Sequence, residues 1–94
     1  MVKRNKKNRS RADIFADILE IAANENGPGI GVTKLMYSSY LSYHQLHSYL
    51  DIMTKQELLS YDKYDRFYKV TPKGRRFMEI VNEMRGLLES SSDS

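Results

Sequence analysis

Two histidines, His44 and His47, fall in an amphipathic stretch with Ser48, Asp51 and Lys55 at helical spacing. Imidazole and hydroxyl groups on such a stripe can donate and accept hydrogen bonds to base edges or phosphates. The same residue types could begin a metal site, but zinc needs three or four ligands. The chain has two histidines and no cysteine, so no metal is expected. There is no G-x-S-x-G nucleophile and no carboxylate pair beside a histidine, so neither catalysis nor a cofactor is expected. Gly29-Ile30-Gly31-Val32-Thr33-Lys34 has glycines before a lysine but not the G-x-x-x-x-G-K spacing that cradles phosphates. It reads as a turn.

The densest charge lies at the N-terminus. Lys3, Arg4, Lys6, Lys7, Arg9 and Arg11 come with no acid among them, whereas residues 12–94 hold nine basic and twelve acidic side chains, a balance of −3. A basic block with almost no apolar residue cannot pack. Residues 1–9 are therefore expected to form a disordered arm able to lie on nucleic acid, against the plainer reading of a solubilising tail. No apolar segment of signal-peptide length follows these charges, and no run reaches the length of a membrane span. A cytoplasmic, nucleoid-associated protein is expected. Ninety-four residues, 40% of them hydrophobic, make one small domain.

The elements that must position these groups follow from pattern. Ser10 and Asp13 have capping-box spacing ahead of Ile14, Ile18, Ile21 and Ala22, predicting a helix over about 11–24 that Asn26-Gly27-Pro28-Gly29 ends. Ile30 and Val32 are candidates for a short edge pairing. Thr33 is expected to cap a second helix over about 34–39, and Ser42 a third over about 43–55, with Leu46, Tyr49, Leu50 and Met53 as its apolar face. Leu41 in the connection completes a helix-turn-helix pattern. Leu59/Tyr61 and Tyr68/Val70 flank Lys63-Tyr64-Asp65 as a hairpin of undetermined turn type. Thr71-Pro72 starts a last helix, along which Phe77, Ile80, Val81, Met84, Leu87 and Leu88 recur with a seven-residue repeat that Gly86 interrupts. The seven tyrosines read as mostly core or half-buried, and a two-stranded hairpin as too small a platform for stacking single strands.

Helix, helix-turn-helix, hairpin, helix is the winged helix-turn-helix layout, an α+β class that is mainly α. The stretches RSRADIFADILEIA, TKLMYSSYLSYHQLHSYLDIM, LLSYDK and YKVTPKGRRFMEIV, in that order, resemble the small archaeal winged-helix DNA-binding proteins, the ten-kilodalton chromatin-associated and regulator-like kind. The resemblance implies a third helix entering the major groove, a hairpin reaching along the DNA backbone, and a last helix that pairs with its copy. Three features depart from it. Glu57 stands where such proteins carry a glycine before Leu-Leu, the wing is short, and Gly86 breaks the last helix.

These readings place double-stranded DNA against Ser42, Tyr43, His44, Gln45, His47 and Ser48 of the third helix. Phosphates would meet Thr33, Lys34, Ser38 and Ser39 from the second helix, Lys63, Tyr64 and Arg66 from the wing, and the arm with Arg11. The expected organisation is an arm over 1–9, a domain over 10–89 with a dimerisation helix over 72–88, and a disordered tail over 90–94. A homodimer is expected through Phe77, Ile80, Val81, Met84, Leu87 and Leu88, by a short contact, with Phe77 and Ile80 also within reach of the first helix. No membrane or small-molecule partner is expected. The expected function is that of a transcription regulator or chromatin protein; the rival is a protein-docking module, which the −3 balance of residues 12–94 suits.

Overall fold

Helix α1 (Arg11–Ala23) begins where the sequence offers a cap. Ser10 Oγ accepts from the Asp13 N–H at 3.1 Å and the Asp13 carboxylate accepts from the Ser10 N–H at 3.3 Å, so two backbone donors are satisfied reciprocally. The computed structural model describes residues 9–92, and the chain continues as α2 (Val32–Ser39), α3 (Tyr43–Lys55), β1 (Leu59–Asp62), β2 (Phe67–Val70) and α4 (Pro72–Ser92). Among the described residues no helix is long and apolar enough to cross a membrane.

Helix α2 starts earlier than expected. Its N-cap is Gly31, which makes no side-chain cap, so Thr33 lies inside the first turn. The Ser42 cap of α3 is a full capping box, with Gln45 Oε1 accepting from the Ser42 N–H at 3.1 Å. Thr71 caps α4 by accepting from the Gly74 N–H at 2.9 Å, with Pro72 in the first helical position. The core gathers Ile14, Phe15, Ile18 and Leu19 of α1, Leu35 of α2, Leu46, Leu50 and Met53 of α3, and Leu58, Leu59 and Tyr68 of the hairpin region. Each fully buried Leu or Ile contributes about 1.5–3 kcal/mol over leaving it in water.

Helix α3 ends at Glu57 in the left-handed region, φ 63°. The Leu58 N–H donates to the Met53 carbonyl at 2.8 Å and the Glu57 N–H to that of Thr54 at 3.0 Å, a Schellman pattern. The backbone thus takes the glycine conformation without a glycine, at a cost of roughly 1–2 kcal/mol.

The hairpin pairs Leu59 with Val70 and Tyr61 with Tyr68, as the alternation indicates. Its turn needs no Asn-Gly. Asp62 Oδ1 accepts from the N–H groups of Tyr64 and Asp65 at 2.9 and 3.2 Å, and Arg66 takes φ 61°. Ile30 exchanges two backbone bonds with Tyr68, at 3.0 and 2.8 Å, and adds an edge to the wing; Val32 belongs to α2 instead. Gly29 permits this approach, because a Cβ there would stand 2.7 Å from that of Phe67.

Helix α4 runs unbroken through Gly86 to Ser92, past the expected end at 88 and into the expected tail. One glycine costs a helix about 1 kcal/mol, and the turn before it is held by Arg85, whose guanidinium lies 2.9 Å from Asp13 and 3.6 Å from Asp17 of α1. Hydrogen bonding from Arg85 is the main cause that lowers the Asp13 pKa, against the opposing pull of burial. Phe77 is half-buried, 6.1 Å from the Phe15 ring, and Val81 is buried. Ile80, expected within reach of α1, is exposed.

Candidate nucleic-acid interface

The connection from α2 to α3 is Tyr40-Leu41-Ser42. Tyr40 closes α2 with φ 61°, Leu41 turns into the core, and Ser42 opens α3. Burying Leu46, Leu50 and Met53 forces the opposite side of α3 outward, and His44, Ser48, Asp51 and Lys55 lie exposed along it. Several of their polar groups are partly used within the helix. Ser48 Oγ donates to the His44 carbonyl at 3.1 Å, Ser42 Oγ and Gln45 Oε1 are engaged in the cap, and Lys55 pairs with Asp51 at 3.7 Å. His44 and Gln45 are exposed in the first turn of α3.

His47 does not join that stripe. It is half-buried at the edge of the apolar face, with the Tyr43 ring 4.3 Å away, and its Nε2 is buried without a hydrogen-bond partner. Ser39 is likewise withdrawn. It is 2% exposed, its hydroxyl donates to the Met36 carbonyl at 3.4 Å, and its own carbonyl accepts from Arg9. A serine on the same wheel sector as Leu35 is carried inward with it. Thr33, Lys34 and Ser38 are exposed as expected, Lys34 being paired with Glu25 at 2.9 Å.

At the wing tip Lys63, Tyr64 and Arg66 are all exposed. Arg9 is not part of an arm: its side chain is 8% exposed, its guanidinium 3.0 Å from Asp17, which fixes it to α1. Arg11 is exposed at the start of α1, and Lys3, Arg4, Lys6 and Lys7 lie outside the described residues, as do positions 93 and 94. Of the expected dimer residues, Phe77 and Val81 are taken up by their own domain, whereas Ile80, Met84, Leu87 and Leu88 are exposed.

The tyrosines overturn the expectation that most are core or half-buried. Tyr37, Tyr40, Tyr43, Tyr61 and Tyr64 are exposed, Tyr49 is half-buried and Tyr68 buried. A helical wheel carries the signal for one of them. Tyr37 lies outside the Leu35/Ser39 sector, whereas Tyr43 shares the sector of Leu50 and is exposed at the first position of α3. Burial raises the pKa of the Tyr68 hydroxyl, and neighbouring Tyr61, Asp51 and Tyr43 raise it further.

Comparison with known proteins agrees with this architecture. A sequence model of the winged helix-turn-helix family matches residues 8–89. Among solved structures, the crystal structure of Sso10a-2, a DNA-binding protein from Sulfolobus solfataricus, is similar with a TM-score of 0.68 and 27% identity, over 90% of each chain. No curated protein matches the chain.

Proposed function

The chain belongs to the winged helix-turn-helix family, and from that membership we propose that it binds double-stranded DNA without catalysing a reaction. The observation that carries this reading is α3, held by its buried face and its capping box, with His44 and Gln45 outward and a cationic wing tip beside it. The likeness to a DNA-binding protein supports the same reading. In this mechanism Lys3, Arg4, Lys6, Lys7 and Arg11 collect phosphate. The first two turns of α3 then enter the major groove, since Asp51 further along repels phosphate. Thr33, Lys34 and Ser38 from α2 and Lys63 and Arg66 from the wing hold the backbone on either side.

The role is architectural or regulatory, in the nucleoid, and the working unit is a homodimer. Ile80, Met84 and Leu88 line one side of α4 at four-residue spacing, exposed in the single chain, and covering them on a second α4 removes that surface from water. Arg9, fixed on Asp17, is left out of the arm, and Phe77 and Val81 out of the contact.

Mobility shift of a duplex at two salt concentrations tests the binding, on the full chain and on a chain lacking residues 1–8. Removing one cation that neutralises a phosphate flattens the logarithmic salt slope by about 0.9. The shortened chain is therefore expected to bind every duplex more weakly and with a flatter slope. Full-length binding that ignores salt, or none, favours the docking-module reading.

A further inference from the structure

Helix α3 is poor in available cations, and its surface and that of the wing are rich in exposed rings. Lys55, the one cationic side chain on α3, is paired with Asp51. Tyr43 and Tyr61, by contrast, are 60% and 47% exposed. Each of these rings leans on an inner one. Tyr43 lies 4.3 Å from His47 at an interplanar angle of 57°, and Tyr61 lies 4.6 Å from Tyr68 at 43°. His47 is half-buried and Tyr68 buried, so each inner ring orients the outer one and lowers the entropy lost when a ligand stacks on it. Helix α3 packs against β1, and both outer rings lie near enough to the Tyr68 hydroxyl to raise its pKa, so the two ring pairs stand on neighbouring parts of one surface. Tyr37 and Tyr40 of the helix-turn-helix and Tyr64 of the wing tip are exposed as well, Tyr64 standing between Lys63 and Arg66 in the chain.

Aromatic faces of this kind have little to offer a duplex, whose bases cover one another's faces and present only edges. They suit bases whose faces are open. We propose that the surface where α3 meets the wing binds single-stranded nucleic acid, with unpaired bases stacking on Tyr43 and Tyr61 and the phosphates running toward Lys63 and Arg66. Such stacking is tolerant of sequence, because every base has a π face. The activity goes beyond duplex binding and uses an overlapping surface, so a strand and a duplex compete. Asp51 is the one acid on α3, and its pairing with Lys55 reduces its repulsion of the strand.

The test is binding of the full chain to oligo-dT, oligo-rU, an abasic strand of equal length and a duplex. Fluorescence anisotropy is one readout, and quenching of intrinsic tyrosine emission, which no tryptophan obscures, is the other. An oligonucleotide with bases is expected to bind roughly ten-fold or more tighter than the abasic strand. Tyr43→Ala and Tyr61→Ala should each lose roughly ten-fold of that affinity, while Tyr43→Phe and Tyr61→Phe, which keep the ring, retain it. Preference for oligo-dT or oligo-rU assigns the sugar, and binding of either supports the inference. If neither binds better than the abasic strand, or the alanine variants bind as the wild type does with circular dichroism unchanged, the inference is overturned. Failure of the strands with intact duplex binding leaves the proposed function standing; the opposite result removes the duplex reading and keeps this one.

Discussion

Gly74 and Gly86 stand on the same helix and meet opposite surroundings. A Cβ at Gly74 would overlap the Leu58 carbonyl oxygen and come 3.2 Å from Leu19 Cδ2, whereas at Gly86 it would meet nothing within 4 Å. The contrast extends to the two halves of α4. The first presses its backbone against the end of α3 and sends Phe77 and Val81 into the domain. The second is tied to α1 through Arg85, yet turns Met84, Leu87 and Leu88 outward. One continuous seven-residue repeat therefore serves two purposes. Its early members close the domain's own core, and its later members offer apolar surface beyond it.

The sharpest way to break this contrast is Gly74→Ala. A helix normally gains about 1 kcal/mol from that change. Here the methyl group meets backbone, which cannot rotate away, and Thr71 Oγ1 and the Glu57 carbonyl fix the two segments to each other across the same junction. Overpacking of this kind costs about 1–3 kcal/mol beyond the propensity gain. The denaturant midpoint is expected to fall clearly, and an unchanged midpoint would show that the junction is looser than the packing indicates.

The second half is probed by Met84→Asp. Covering Ile80, Met84 and Leu88 on a partner stabilises association by about 1.5–3 kcal/mol for each side chain fully buried. A carboxylate in the middle of that stripe reverses the gain in both copies at once. Sedimentation is expected to show a dimeric wild type and a monomeric variant whose domain still melts cooperatively. A wild type that sediments as a monomer would confine α4 to closing its own domain.

How far the sequence reveals these features depends on the range of the interactions. Ser10, Ser42 and Thr71 were legible as caps because a cap bonds within three residues. The register of the hairpin was legible from Leu59, Tyr61, Tyr68 and Val70, and Glu57 was marked as the unusual end of α3, which its φ of 63° bears out. The misplaced residues depend on distant partners or on orientation. Arg9 reads as one more charge of a basic run until Asp17 of α1 and the Ser39 carbonyl are brought beside it. Ser39 is polar by composition but rides on the Leu35 side of α2. His47 stands three residues from His44, but that step turns it about 60° toward the Leu50 edge of α3, where it is half-buried beside Tyr43. The tyrosines misled for a related reason. An aromatic residue can fill a core or remain at a surface, and composition does not distinguish the two.

Gly86→Ala gives the smallest effect and the finest discrimination. The residue is helical, faces open space and carries the backbone-entropy penalty of glycine, so alanine is expected to stabilise the chain by about 1 kcal/mol and raise its melting temperature. Its position also makes it a control for the dimer. Two residues along an α-helix turn the side chain through about 200°, so Gly86 points away from Met84 and Leu88, which stand one turn apart on the opposite side. A partner packed on the Met84 stripe never meets the new methyl group. The substitution should therefore raise the melting temperature while leaving the sedimentation equilibrium where the wild type has it. If alanine instead weakens association, a second copy must approach through Gly86, and the outward-facing half of α4 makes its contact on the side opposite to its apolar stripe.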